Sequence, residues 1–311
     1  MTESPLRLGI AGLGTVGGSV LELLQSQKDI LRQRCTRPLE IRAVSARDAR
    51  RSRGASLQGM DWVEDAVALA HRDDIDVVVE LIGGADGVAF DLCRSALDAG
   101  KHVVTANKAM LARHGFELAQ LAERRNRALA FEAAVAGGIP IVKALREGAA
   151  ANSVESVTGI LNGTCNYILT TMAKTGAPFA DVLAEAQQLG YAEADPGFDI
   201  DGWDTAHKLT ILASIAFGVR PAFQNISVEG IRFIRAEDVR AAGELGFAIK
   251  LLGVARMDRS GISQRVYPCL VPERSPISHV DGVHNAIEFS GDYIGQVMIQ
   301  GRGAGGGPTA S

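Results

Sequence analysis

Apolar and polar positions follow a strand–helix rhythm over the first 135 residues. LRLGIA (6–11) is an apolar run of strand length, and VGGSVLELLQ just after it spaces its apolar residues as a helix does. LEIRAVSA (39–46), DDIDVVVELIGG (73–84), KHVVTANKAM (101–110) and ALAFEAAV (128–135) read as further strands. Helices fall between them, one near 85–99 closed by Gly100 and one near 115–126. After Glu132 the rhythm changes. Pro140 opens a helix, 154–161 is a strand, and helices follow Asn162 and span about 178–189. KLTILASIAF (208–217) is a helix apolar almost all round, hence buried. Strands near 247–256, 263–271, 285–290 and 293–300 complete the pattern, the last two joined at Ser290-Gly291-Asp292. The pattern predicts an α/β protein: a doubly wound parallel sheet in residues 1–135, and a second α+β domain in 136–300 with an antiparallel or mixed sheet. Residues 301–311 are a glycine-rich return toward the first domain, with no element after it.

The loop between the first strand and first helix carries Gly12, Gly14 and Gly17 as G-x-G-x-x-G, with Thr15 and Val16 between. In that context the glycines suit a tight turn, close approach of backbone to a pyrophosphate, and close helix–strand packing. Helix amides then meet the phosphates. This predicts a Rossmann-type dinucleotide domain; a glycine loop with no ligand is the plain alternative. The second strand ends where an acid would read an NAD ribose. This chain has Arg47, followed by Asp48, Arg50, Arg51 and Arg53. Arginine there suits a 2′-phosphate, so NADP is expected, and Asp48 keeps NAD open. Thr105, Asn107 and Lys108 end another strand, on the side where ligands of parallel sheets bind. A surface lysine opening the next helix is the ordinary reading of Lys108.

GYAEADPGFDIDGWDTAHK (190–208) concentrates Glu193, Asp195, Asp199, Asp201 and Asp204 ahead of Lys208. Asp201 or Gly202 suits an N-cap, and acids in a first turn suit the helix dipole, but this does not account for five. Asp204 and Lys208 lie four apart on one helix face. A lysine at the mouth of a buried helix, facing carboxylates, suits proton transfer or a polar substrate. On chemistry alone the stretch could bind a small amino acid or a divalent metal. Among 311 residues, 47% are hydrophobic and 22% charged, with a net charge of −4, which favours no nucleic-acid partner. Four scattered cysteines form no metal-ligand pair or disulfide framework and suit a reducing cytoplasm. No signal peptide or membrane span is expected.

GIAGLGTVGG, VVELIGG, VVTANKA, EAAVAGGIPI, GILNGTCNYIL, GYAEADP with the following GWDTAHKL, and GAGGGPT occur in order along nearly the whole chain. In these motifs the chain resembles the homoserine dehydrogenases. Cys165 departs from the pattern, which has Thr. The chain stops at Ser311, where family members usually add a returning helix and often a regulatory ACT domain; threonine inhibition through such a domain is therefore not expected. The resemblance implies reduction of L-aspartate 4-semialdehyde to L-homoserine with NAD(P)H, in threonine, methionine and isoleucine biosynthesis. It implies Lys208 as proton donor, Asp204 positioning it, Glu193 on the substrate amino group with Asp199 nearby, and Lys108 between cofactor and substrate. Gly303 joins the cofactor contacts. The resemblance also implies a sodium ion on the carbonyls of Glu132, Val135, Gly137 and Ile139, and a homodimer through the second domain. Three alternatives stay open: a dehydrogenase using Cys165 as thiolate, an NADP-binding paralogue or sensor without turnover, and a metal site in the acidic stretch.

Overall fold

A computed structural model describes residues 4–49, 54–259 and 261–311. The chain packs as two units, Met1–Gly138 with Gly305–Ser311, and Ile139–Ala304.

The first unit holds a parallel sheet of β1 (Leu6–Ala11), β2 (Leu39–Ser45), β3 (Asp61–Trp62), β4 (Val77–Glu80), β5 (His102–Thr105) and β6 (Leu129–Ala130). Its order is β3-β2-β1-β4-β5-β6, the doubly wound arrangement expected. All four residues of β4 are buried, as in a strand covered on both faces. Leu8, Ile10, Val77 and Val79 pack with Leu21 of the first helix, Thr15–Ser26. Arg7 on β1 grips Asp76 just before β4, with Nε and Nη2 each taking one carboxylate oxygen at 3.0 and 2.7 Å.

The second unit holds a mixed sheet of β7 (Val154–Ile160), β8 (Ser227–Val228), β9 (Phe247–Asp258), β10 (Gly261–Pro272), β11 (His284–Gly291) and β12 (Gly295–Arg302), in the order β12-β11-β7-β9-β10-β8. Only the β10–β8 contact is parallel among the described residues. The helix Trp203–Phe217 lies on one face, where a β-carbon at Gly253 would meet Leu161, Thr205 and Leu209 within 3.2 to 3.4 Å.

Several boundaries differ from the sequence reading. The strand 101–110 stops at Thr105, and a helix runs from Lys108 to Arg125, because the Asn107 side chain accepts from the Met110 amide and caps it. The segment 128–135 is strand only at Leu129–Ala130, after which Glu132–Ala134 forms a tight turn. The last hairpin turns at 292–294 rather than 290–292, since Asp292 accepts from Ser153 N and Asn152 accepts from Ile294 N. A helix at Ala236–Glu244, which buries Val239 and Ala242, was not expected from the sequence. The glycine-rich end is not bare: Gly306–Ala310 is a short helix seated on the first one, where a β-carbon at Gly306 would lie 2.3 Å from Ser19 Oγ.

The bonds to Arg7 hold the Asp76 carboxyl at about 2, against an ordinary 3.8. A folded-state value below the unfolded one means stability present above the unfolded value and lost as pH falls through the folded one. Denaturant midpoints taken at roughly pH 5 and pH 2.5 should therefore drop less in Asp76→Asn than in the native chain. An equal drop in both would show that this pair contributes nothing to the acid limb.

Candidate active site

β1 ends at Ala11, and the chain turns through Gly12-Leu13-Gly14 into the helix Thr15–Ser26. Gly12 has φ 95°, and a β-carbon there would lie 2.4 Å from the Leu81 carbonyl carbon. One at Gly17 would lie 2.0 Å from the Gly12 carbonyl oxygen, so turn and helix close on each other. Gly14 is different: nothing stands within 4 Å of its missing β-carbon. Gly14 lines a cleft of about 630 Å³ with Gly12, Ser45, Arg47, Asp48 and Gly83 among its walls. No side chain among the described residues caps this helix, so the first amides, at Thr15, Val16 and Gly17, suit an anion. This arrangement fits the pyrophosphate of a dinucleotide.

Arg47 is exposed on the cleft wall just past β2. Asp48, Glu64 and Asp65 line the same cleft. Arg50, Arg51 and Arg53 lie outside the described residues.

Glu80 escaped the sequence reading. It ends β4 fully buried; Oε1 accepts from the amides of Ile82 and Gly83 at 2.7 and 3.1 Å, and Oε2 from the Thr105 hydroxyl at 2.6 Å. Thr105 Oγ1 in turn accepts from the Asn107 amide, and Asn107 Nδ2 donates to Gly84 O. The Thr105 hydroxyl, named from sequence as a cofactor contact, is thus engaged inside the protein and fixes the loop. An acid closing an all-apolar VVVE strand before Gly83-Gly84 was the available signal. Lys108 is the first residue of the capped helix and is half-buried.

In the second unit four sequence elements meet. Asn162 caps the helix Gly163–Thr175, its Oδ1 accepting from Cys165 N at 2.8 Å. Its Nδ2 donates to Asp199 Oδ1 at 2.8 Å and to Asp204 Oδ2 at 2.9 Å. Lys208 Nζ donates to the same Asp204 oxygen at 2.8 Å and to Leu161 O at 2.7 Å, with Lys208 9% and Asp204 5% side-chain exposed. Asp199, Asp204 and Lys208 are therefore brought together, and Asn162, quoted in a motif but given no role, joins them. Glu193 sits exposed in the loop before this turn, its carbonyl held by Gln187 Nε2 at 2.9 Å. Gly202, with φ 89°, caps the helix Trp203–Phe217; Asp201 instead pairs with Arg232 at 2.8 Å.

Cys165 is fully buried and donates to Asp199 O at 3.2 Å. Burial, then the charge of Asp199, pushes its thiol well above the usual range, which removes it as a thiolate nucleophile. Among the described residues no group of three or more His, Cys, Asp or Glu could hold a metal ion, and no helix is long and apolar enough to cross a membrane. Gly303 lies against Asn285, where a β-carbon would come within 2.2 Å of the amide carbon. Glu132, Val135 and Gly137 belong to the end of the first unit, where Ala136 and Gly137 both have positive φ, 58° and 49°; Ile139 opens the second unit.

A family model described as homoserine dehydrogenase matches residues 140–311, and one described as homoserine dehydrogenase, NAD binding domain, matches 12–132. Homoserine dehydrogenases of Neisseria gonorrhoeae and Pseudomonas aeruginosa are each 48% identical over 307 residues, covering 99% of this chain and 70% of theirs. The crystal structure of a homoserine dehydrogenase from Thiobacillus denitrificans superposes with a TM-score of 0.95 at 47% identity, covering 100% of this chain and 72% of that one.

Replacement of the buried thiol tests its role. Cys165→Ala should keep turnover within a few-fold of the native chain, and iodoacetamide should leave Cys165 unmodified in the folded protein. An inactive Cys165→Ala that is still folded would restore the thiolate reading.

Proposed function

The chain belongs to the homoserine dehydrogenase family and is an NAD(P)-dependent oxidoreductase; from that premise we propose which of its residues carry the interconversion of L-aspartate 4-semialdehyde and L-homoserine. The observation that carries the assignment is the buried Lys208–Asp204 pair. An ammonium has three donors. Lys208 gives one to Asp204 and one to the Leu161 carbonyl, which leaves one for a substrate oxygen.

The nicotinamide, when bound, supplies the hydride. Reduction of the aldehyde builds negative charge on its oxygen, and Lys208 stabilises that charge and then delivers the proton. In the oxidative direction neutral Lys208 takes the hydroxyl proton. Asp204 holds Nζ in place through its 2.8 Å hydrogen bond. Glu193 and Asp199 offer carboxylate oxygens to the substrate ammonium, and Lys108 hydrogen-bonds either cofactor or substrate.

Gly12, Gly14, Thr15, Val16 and Gly17 cradle the pyrophosphate, with Gly303 a further contact. Arg47 on the cleft wall favours NADP over NAD, although Asp48 stands beside it. The backbone reversal at Ala136 and Gly137 suits carbonyl ligation of a hard cation, so sodium on the carbonyls of Glu132, Val135, Gly137 and Ile139 belongs to the same reading. It takes no part in any step above. A homodimer through the second unit belongs to the same reading. Four free cysteines suit a reducing compartment such as the cytoplasm.

Two substitutions separate the proposed roles. Lys208→Ala should cut turnover by roughly 100- to 10,000-fold, the range for a general acid–base group, while NADP binding holds. Lys208→Arg should not rescue it, because a guanidinium keeps its proton at workable pH. Near-normal turnover in Lys208→Ala, with Lys108→Ala inactive, would move the proton donor to Lys108. Arg47→Ala should weaken NADP by about 1.5–3 kcal/mol and NAD far less, read by fluorescence titration. Equal weakening of both would exclude a 2′-phosphate contact.

A further inference from the structure

Asn162 does more than cap a helix. Its three short hydrogen bonds fix which way the amide faces: Oδ1 takes the Cys165 amide proton, and Nδ2 reaches two different carboxylates. Turned over, the amide would set its oxygen against both carboxylates and its NH₂ against the Cys165 N–H. The protein therefore holds a neutral, double-headed donor between Asp199 and Asp204. Two carboxylates this close to one donor repel, and such a pair tends to share a proton unless donors separate and stabilise both charges. Asp204 is the group that holds the Lys208 ammonium.

We propose that Asn162 is a positioning residue for the proton transfer, its amide keeping Asp199 and Asp204 both ionised and apart so that Asp204 stays on Lys208. This rests on Lys208 being the proton donor. Among the described residues the ionisable groups facing the cluster include Asp199 and Asp201 from the turn before the helix Trp203–Phe217, Asp204 and Lys208 from that helix, and the Cys165 thiol from the helix Gly163–Thr175. Asp201 is held by Arg232, and His207 packs on Phe198 and Phe223.

Two variants that keep an N-cap oxygen separate this role from capping. Asn162→Ser retains an acceptor for Cys165 N but has one donor for two carboxylates. Asn162→Asp retains shape and cap but replaces the donor with a third acid. With the full chain, kcat and kcat/KM for homoserine are measured against pH, with NADP affinity and thermal midpoint alongside. Asn162→Ser should lose activity on the acid side, because a carboxylate without its donor takes a proton at higher pH. Asn162→Asp should lose it on the alkaline side, because one proton shared in the acid trio replaces the amide hydrogens only while it stays bound. NADP affinity should not change in either.

Two pH profiles of native shape, lowered or not, would reduce Asn162 to a helix cap and overturn the proposal. If Asn162→Ser is too unstable to assay, the alkaline loss in the isosteric Asn162→Asp decides alone. Lys208→Ala, run in parallel, separates the two failures. An active Lys208→Ala removes the underlying assignment. An inactive one, with native-shaped Asn162 profiles, removes only the role given to Asn162.

Discussion

Burying a charge is costly unless fixed partners replace the water it loses. Lys208 and Asp204 are both almost wholly withdrawn from solvent, and the second unit is assembled so that partners surround them. The residue just after β7 supplies the Leu161 carbonyl. The next residue, Asn162, starts a helix and bonds Asp204. The short turn Gly197–Ile200 brings Asp199 to the same amide. They come from two stretches of sequence, Asn162 lying 37 residues before Asp199, and the buried ion pair needs both at one place. Removing either partner alone would leave an uncompensated charge, a heavier penalty than losing an exposed pair.

The first unit meets a similar demand without a cation. Glu80 is a buried carboxylate whose bonds come from two backbone amides and a hydroxyl. Because those donors belong to the loop after β4 and to the end of β5, the acid links the two strand ends that border the glycine turn of Gly83 and Gly84. Asn107 extends the link to the start of the following helix. Lys108 thus begins a helix whose start is fixed by the Asn107 cap and its links to Gly84 and Thr105.

Much of this was legible in the chain. The glycine spacing predicted the tight turn and the close helix packing, and the structure separates the positions: Gly12 at the turn, Gly17 in the packing, Gly14 beside open space. The four-residue spacing of Asp204 and Lys208 gave their contact, since helix geometry fixes which side chains meet. The missed features depend on distant sequence. Glu80 lies 25 positions from Thr105, and Asn162 lies 37 from Asp199, so no local period announces either bond. The strand ending at Thr105 was overrun because apolar content continues past it into Ala106 and the helix beyond; only the Asn107 side chain marks the change. The helix Ala236–Glu244 does have an apolar face, but its buried residues, Val239 and Ala242, are small and lie in a mixed stretch of sequence where they stood out little.

Residues 305–311 belong with the first unit, although they are the last to be synthesised in this chain. Pro308 meets Gly138, and Gly306 sits against Thr15 and Ser19. The second unit is thus an insertion within the first. Domains generally fold as they emerge from the ribosome, N-terminal segments first. Here the first unit needs residues from both sides of the insertion: the helix Gly306–Ala310 packs on the helix Thr15–Ser26, so the unit that begins first is completed only after residues 139–304 have been made.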